Sequence, residues 1–264
     1  MKQHQLDSMH EPLRVELTGR TEDTMKNLTL KVTLFGLAVA LACAGCKSQA
    51  EKACESTGPQ EMLDERSVLN QPPKGFVALF NGRDLTGWQQ IGGRKGSWKV
   101  RDGILYAEGD SKGWLSTARQ YDNFQLELEF RVPVGGNSGV FVRIPREDGG
   151  RPGYEGTEIQ ILDDYAQKYV GLQPSQYTGS IYGVQAPAKL VSKKANEWQK
   201  MAILCNGPQV QVALNGALIV DANLKTHMDK FETHPGLKRP KGYIGLQHHN
   251  TRIEYRNIRI KELN

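Results

Sequence analysis

Residues 124–132, FQLELEFRV, decide the fold class because apolar and polar side chains alternate along them without a break. Successive side chains of a β-strand point to opposite faces of its sheet. The face predicted to be buried carries Phe124, Leu126, Leu128 and Phe130. The segment is therefore predicted to be a strand with one side in a core and the other in solvent.

Short runs of this kind recur from Pro73 to the end of the chain, separated by turn dipeptides such as Asn206-Gly207 and Asn215-Gly216. The predicted strands are 76–80, 97–100, 104–107, 124–132, 139–144, 158–162, 198–205, 209–214, 217–220, 243–249 and 252–261. The sequence shows no long amphipathic helix. This pattern predicts an all-β fold, an antiparallel sandwich, in one domain over residues 73–264.

The N-terminal region has the features of an export signal. Residues 32–45, VTLFGLAVALACAG, are uncharged and follow Lys26 and Lys31. The run is too short for a comfortable membrane span and fits a signal peptide, so residues 1–45 are predicted to be a signal region. Met25 would give such a signal a normal start, with residues 1–24 as an extension or a wrongly assigned start. A buried apolar helix is the alternative.

The signal region ends in Ala44-Gly45-Cys46, as in bacterial lipoproteins, in which such a cysteine carries the lipid. Cys46 is therefore the predicted lipid attachment site, although Cys43 stands where that pattern usually has leucine, which leaves ordinary signal cleavage open. Residues 46–72 are polar and are predicted to be a tether, with a charged interaction arm as the alternative. We expect an exported bacterial protein, lipid-anchored at the cell envelope or periplasmic, whose membrane contact is the lipid anchor alone.

Charge and cysteine content exclude some functions. The 264-residue chain has a net charge of +5, but its basic residues are scattered, so nucleic-acid binding is not expected. Once Cys43 is removed with the signal and Cys46 is acylated, Cys54 and Cys205 are the cysteines left, and they form no CxxC or Cys/His metal spacing. In an oxidising compartment Cys54 and Cys205 can pair, and a buried free Cys205 is the alternative.

Candidate chemistry is found first in the strand predicted at residues 158–162. Glu158 and Gln160 share one face, which would form the floor of a site for a polar ligand. A solvated outer face is the alternative. Asp163 would fall on the core face if the strand continued, and a buried charge is costly. We therefore expect the strand to end or bulge at Asp163, which would then reach the site or cap the backbone.

Three further segments supply polar or aromatic groups that suit a sugar ligand. Asn137 and Ser138 suit sugar hydroxyls, and the Arg143 guanidinium suits an oxyanion. Gln247 and His249 share a face, with His248 on the other, and a histidine can act as acid, base or metal ligand. The ring of Trp114 can stack on a sugar, although most tryptophans in a sandwich lie in the core.

Several stretches together resemble the 3-keto-disaccharide hydrolase domain family. They include FVALFNGRDLTGW at 76–88, GSIYGVQAP at 179–187 and IGLQHHNTRIEYRNIRIKEL at 244–263. The resemblance runs from Gly75 to Leu263 and keeps the motif order. It implies a concanavalin A-like jelly-roll β-sandwich of two antiparallel sheets that binds an oligosaccharide or glycoside. It also implies cleavage of glycosides whose sugar is oxidised at C3.

A C3 ketone acidifies the proton on C2, so a base can form an enolate that expels the group at C1. Water addition to the enone completes a hydrolysis, and stopping earlier is a lyase reaction. Glu158 and His249 are the expected acid/base pair, with Arg143 or a divalent metal stabilising the enolate. No cofactor is otherwise expected. The residues expected to bind substrate are Asn137, Ser138, Gln160, Asp163, Tyr182, Trp114 and Gln247.

One departure from the family concerns residues 247–250, which read QHHN where the family commonly has QDHG. His248 replaces the aspartate, so metal use and the partner of His249 stay open. Two other functions are also open: a non-catalytic carbohydrate-binding domain, and a glucanase acting on unoxidised glycans. A retaining glucanase needs two carboxyls about 5–5.5 Å apart, and Gln160 and Leu162 speak against that.

Overall fold

The computed structural model describes residues 68–146 and 150–264. The predicted signal region, Cys46, Cys54 and most of the tether lie outside the described residues, so export, lipidation and the Cys54–Cys205 pairing stay predictions. Within the described ranges, no helix is long and apolar enough to cross a membrane.

The protein is a jelly-roll sandwich of two antiparallel sheets, which confirms the predicted fold class. The eight-stranded sheet has the order β11-β10-β9-β6-β13-β4-β3, and β1 also pairs with β13. Its strands are β1 (Val77–Ala78), β3 (Trp98–Arg101), β4 (Ile104–Ala107), β6 (Phe124–Arg131), β9 (Gln199–Asn206), β10 (Gln209–Leu214), β11 (Ala217–Asn223) and β13 (Ile253–Glu262).

The five-stranded sheet has the order β2-β5-β12-β7-β8. Its strands are β2 (Trp88–Ile91), β5 (Lys112–Thr117), β7 (Asn137–Ile144), β8 (Thr157–Leu162) and β12 (Tyr243–His249). The helices are short: α1 (Pro152–Glu155) and 3-10 turns at Gln167–Tyr169, Pro174–Gln176, Leu224–Thr226, Met228–Lys230 and Pro235–Lys238. The strands β2 and β5 were not predicted, since WQQI is short and half polar and KGWLST has no regular alternation.

The core lies between the inner faces of the two sheets. The alternation in β6 holds, because Phe124, Leu126, Leu128 and Phe130 are all buried. Fully burying such a side chain contributes about 1.5–3 kcal/mol. Cys205 is buried in the same core.

A bulge in β7 changes which side chains reach the core. Ile144 pairs with Tyr243 and Phe141 pairs with Gly245, so two residues of β7 lie opposite one residue of β12. Ile144 packs with Phe141 on the outer face, whereas Val142 packs in the core. The extra residue is Arg143, which has a positive φ of 55° and turns away from the outer face.

Candidate active site on the five-stranded sheet

The outer face of the five-stranded sheet carries the predicted acid/base residues. On β8, Ile159 and Ile161 lie in the core, so Glu158 and Gln160 face outward as predicted. The strand ends at Leu162, which confirms the predicted end before Asp163. On β7, Phe141 pairs with Glu158 and Gly139 pairs with Gln160.

The Glu158 carboxyl group is held under close-packed backbone. Its Oε1 accepts a hydrogen bond of 3.0 Å from Gln247 Nε2. A Cβ atom on Gly139 would lie 2.4 Å from Oε1, and one on Gly153 would lie 2.3 Å from Oε2, so a side chain at either position would displace the carboxyl group. The side chain of Glu158 therefore leans along the face toward Gln247 and sits beneath helix α1.

Burial sets the charge state of Glu158. Only 8% of the residue is exposed, and loss of solvent around the carboxylate raises its pKa to about 8. The hydrogen bond from Gln247 has a smaller effect and lowers the pKa. Removing a carboxylate from water disfavours the charged form. At neutral pH this carboxyl group is therefore mostly protonated and can give up a proton.

Two buried polar atoms of residues on this face have no hydrogen-bond partner among the described residues. They are Trp114 Nε1, a donor, and Gln247 Oε1, an acceptor. The two residues are cross-strand partners on β5 and β12. The ring of Trp114 packs edge-on against Phe141, with centroids 6.4 Å apart, and its Cδ1 lies close to Gly245. Buried polar groups are nearly always satisfied, so these two atoms mark a place on this face where a further polar group is expected.

His249 lies further along the same face, beside Lys112 of β5. Its pKa is lowered, first by burial and then by the positive charges of Lys112 and Lys168. From the strand spacing and rise, the Cα atoms of His249 and Glu158 are about 16 Å apart. At this distance the two side chains do not touch, and the hydrogen-bond partner of the Glu158 carboxyl group is Gln247.

Three other predicted residues border this face. Asn137 is half-buried and faces outward by alternation with Gly139. The Gln160 side chain accepts a bond of 3.1 Å from the amide of Ile161. Tyr182 runs alongside β8, where its amide donates to the carbonyl of Glu158 at 3.0 Å and its hydroxyl accepts from Gln176.

Three predicted site residues lie elsewhere. Ser138 is fully buried on the inner face, where its Oγ bonds to the carbonyl of Gln247 and to the Tyr255 hydroxyl. Asp163 accepts from the amide of Gly135 at 2.8 Å and so caps the turn before β7. For both residues the cause is local: strand alternation directs Ser138 inward, and a turn engages Asp163.

Arg143 is also absent from this face because the bulge turns it toward the eight-stranded sheet. Its Nε and Nη2 donate to the carbonyl of Asp122 at 3.0 and 2.7 Å, and Nη1 donates to the carbonyl of Gly207 at 2.6 Å. The structure therefore does not bring this guanidinium to Glu158.

The two remaining histidines near these residues differ in their surroundings. His248, which replaces the family's aspartate, faces the core and packs edge-on against Trp98 with ring centroids 6.1 Å apart. His234 was not predicted. Its ring packs on Tyr154 of α1 at 4.8 Å, and its buried Nε2 has no partner among the described residues. The sequence around His234, THPG, indicates only a turn and does not reveal its burial.

A resident metal has no evident protein site. Within residues 68–146 and 150–264, no three His, Cys, Asp or Glu side chains are grouped so that they could hold an ion. Glu158 has Gln247, a neutral amide, as its hydrogen-bond partner. The described residues on this face therefore do not fit a divalent metal held by the protein alone.

Comparison with known proteins decides the family. The 3-keto-alpha-glucoside-1,2-lyase-like domain family matches residues 75–261. The chain belongs to this family. The match confirms the resemblance seen in the sequence, and it covers both sheets of the sandwich.

Relatives of the chain include curated and solved proteins. A 3-keto-disaccharide hydrolase of Bacteroides thetaiotaomicron is 27% identical over 228 residues, which cover 72% of this chain and 79% of that protein. Two crystal structures of candidate glycosyl hydrolases from Parabacteroides distasonis are also similar. One has a TM-score of 0.67 at 26% identity and covers 74% of this chain and 100% of the other. The second has a TM-score of 0.63 at 31% identity, with coverages of 71% and 99%.

Proposed function

We propose that this glycoside hydrolase-like protein cleaves 3-keto-glycosides by removing the C2 proton and eliminating the group at C1. The observation that carries the proposal is the buried carboxyl group of Glu158, with its pKa raised to about 8, on a sheet face that also holds His249. The family and the relatives named for glycoside cleavage support the same class of substrate.

The two charge states favour one division of roles. Glu158 is mostly protonated at neutral pH and serves as the acid that protonates the leaving oxygen at C1. His249, whose pKa is lowered, is neutral at the same pH and serves as the base that takes the C2 proton. Enzymes commonly separate acid from base by environments that shift two pKa values apart.

The distance between the two groups fits this division. Their Cα atoms are about 16 Å apart, and the two side chains together span roughly half of that distance. A pyranose ring in the remaining gap would present its C2 hydrogen to one group and its C1 oxygen to the other. Such a distance also explains why Glu158 and His249 make no direct hydrogen bond.

Stabilisation of the enolate would come from neutral donors. Trp114 Nε1–H is buried and has no partner among the described residues, so it can donate to the oxygen on C3 as negative charge develops there. Gln247 Oε1 can accept from a sugar hydroxyl, and Asn137 and Gln160 border the same space. Arg143 has no part in this site because its guanidinium binds backbone carbonyls on the other side of the sheet.

The proposal is tested with a 3-keto-glucoside, the matching unoxidised glucoside, and a chelator arm. We expect release of 3-ketoglucose, or of the enone if the protein is a lyase, from the oxidised substrate alone. Glu158→Gln and His249→Ala should each lower turnover about 100- to 10,000-fold. Glu155→Gln removes a carboxylate from the neighbouring helix and is the matched control, with turnover close to that of the wild type.

Three outcomes with the variants and substrates would contradict the proposal, and a fourth, with the chelator, would add a metal to it. Full turnover by both Glu158→Gln and His249→Ala would exclude the acid/base assignment. Binding of the ketoside without turnover would favour a carbohydrate-binding domain. Cleavage of an unoxidised glucan alone would favour a glucanase. Loss of activity with chelator would require a metal held partly by substrate.

We also propose that the protein is exported and lipid-anchored through Cys46. Support comes from the apolar run at 32–45 and the small residues before Cys46. Expression from Met25 with a labelled fatty acid should give a lipidated product, and Cys46→Ala should abolish the label. An unlabelled wild-type product would favour ordinary signal cleavage.

A further inference from the structure

A cavity lies at the end of the sandwich, where the bulge of β7 approaches the turn between β9 and β10. Its volume is about 310 Å3, and it includes none of the residues to which the proposed function gives a role. Four basic residues line it: Arg143, Lys225, Lys238 and Arg239. No carboxylate residue lines it, so the cavity has a strongly positive lining.

Arg143 is the buried cation of this cavity. Only 2% of the residue is exposed, and among the described residues no carboxylate lies within 4.0 Å of its guanidinium. An arginine side chain stays charged at all ordinary pH values. A buried charge without a counter-ion is costly, and an anion in the cavity would offset that cost.

The hydrogen bonds of Arg143 leave it able to bind an anion. A guanidinium has five N–H groups. Contacts to Asp122, Gly207 and, at the 3.5 Å limit, Asn123 use four of them. The N–H that is left belongs to Nη1. The bulge holds Arg143 at a positive φ, which is rare for a residue with a long side chain, and so directs its guanidinium to this cavity.

The remaining lining residues are apolar and indicate the kind of group that is attached to the anion. Phe231 and Leu237, with two prolines, form an apolar wall, and Lys238 Nζ lies 5.0 Å from the centroid of the Phe231 ring. A fully hydrated inorganic anion would gain nothing from such a wall. A carboxylate attached to a flat apolar body would use both the cations and the wall.

We propose that this cavity binds a small organic carboxylate with an apolar or aromatic body, with Arg143 as the anchor of the carboxylate. Lys225, on the exposed rim, adds attraction without a fixed contact. The proposal rests on the cavity and its charges and is independent of the sugar chemistry of Glu158.

Isothermal titration of the full chain tests the proposal with benzoate, with benzyl alcohol as its neutral counterpart, and with sulfate as an inorganic anion. We expect saturable binding of benzoate that weakens as salt rises. Benzyl alcohol should not bind, and sulfate should bind at least tenfold more weakly than benzoate. No benzoate binding, or sulfate as tight as benzoate, would overturn the proposal.

Variants locate the binding. Lys225→Gln should weaken benzoate binding about two- to fivefold, as expected for an exposed charge. Lys189→Gln removes the same charge from an exposed residue that does not line the cavity, and should leave binding unchanged. Equal weakening by both variants would mean that overall charge, and no specific cavity, attracts benzoate.

Arg143→Gln should abolish detectable binding in a protein that still folds. Arg143 also donates three hydrogen bonds to the backbone carbonyls of Asp122 and Gly207, so this variant can fail to fold. The comparison of Lys225→Gln with Lys189→Gln then decides whether the cavity binds benzoate. A folded Arg143→Gln protein that binds benzoate as the wild type does would overturn the role of Arg143.

Discussion

Replacing Glu158 by glutamine should stabilise the protein, and more strongly as the pH rises. The reason is the burial that raises the pKa of this carboxyl group from 4.5 to about 8. Glutamine keeps the shape and an oxygen that can accept from Gln247, but it never has to ionise. The wild-type protein must keep Glu158 protonated in its folded state at pH values at which the unfolded chain ionises, and this costs free energy of folding. Glutamine removes that cost.

The sign and size of this stability difference follow from the pKa values of Glu158 in the unfolded and the folded protein. Below pH 4.5 the carboxyl group is protonated in both the folded and the unfolded chain, so the two proteins should be similar in stability. Between pH 4.5 and about 8 only the unfolded chain releases the proton, so the free energy of unfolding of the wild type falls relative to Glu158→Gln. At about 1.4 kcal/mol per pH unit, the difference reaches about 3 kcal/mol at pH 7 and about 5 kcal/mol above pH 8.

Urea unfolding of both proteins at pH 4, 5.5, 7 and 8.5 measures this difference. An increase of about 3 kcal/mol should move the unfolding midpoint by about 1–2 M urea. Glu155→Gln, measured at the same four pH values, shows how loss of a neighbouring carboxylate affects the pH dependence of the free energy of unfolding. If the difference between Glu158→Gln and the wild type stays constant from pH 5.5 to 8.5, Glu158 ionises as an ordinary carboxyl group and cannot be the acid.

Three further predictions concern turnover of the 3-keto-glucoside. Wild-type kcat/KM should fall above about pH 8, where Glu158 loses its proton, and fall at acid pH as His249 gains one; a profile flat from pH 5 to 9 would exclude these roles. Gly139→Ala, whose Cβ would lie 2.4 Å from the Glu158 carboxylate, should cost about 1–3 kcal/mol in urea unfolding and most of the turnover, and unchanged turnover would show that Glu158 need not lie there. Trp114→Phe keeps a ring but loses Nε1–H, so steady-state kinetics should show about tenfold lower kcat/KM, with a lower thermal midpoint because the smaller ring leaves part of the packing against Phe141 empty. Unchanged kinetics would remove Trp114 from substrate binding.

The sequence predicts much of the site because strand alternation is a local property. In β8 the apolar Ile159 and Ile161 must face the core, which places Glu158 and Gln160 outside. The same rule in β12 separates Gln247 and His249 from His248. The jelly-roll fold is predictable for the same reason, since period-two patterns recur between turn dipeptides along the domain.

The rest of the site depends on contacts between distant segments. The bulge that turns Arg143 inward is defined by pairing with Tyr243 and Gly245, about 100 residues away, and nothing in β7 alone indicates it. The raised pKa of Glu158 depends on Gly139 and Gly153 as well as on its own strand. A pattern read along a single segment cannot supply such contacts.

The edge of β8 has a consequence for how this protein can change over evolution. The edge is covered by residues 179–182 through bonds between main-chain atoms alone. Tyr182 N donates to the carbonyl of Glu158, Gln160 N to that of Ser180, and Gly179 N to that of Gln160. Because no side chain takes part in these three bonds, the half-buried Tyr182 can be exchanged without unpairing the strand, whereas Ser180 is fully buried and leaves no room for a larger side chain. Substitutions at position 182 can therefore change the surface beside β8 while Glu158 keeps its position.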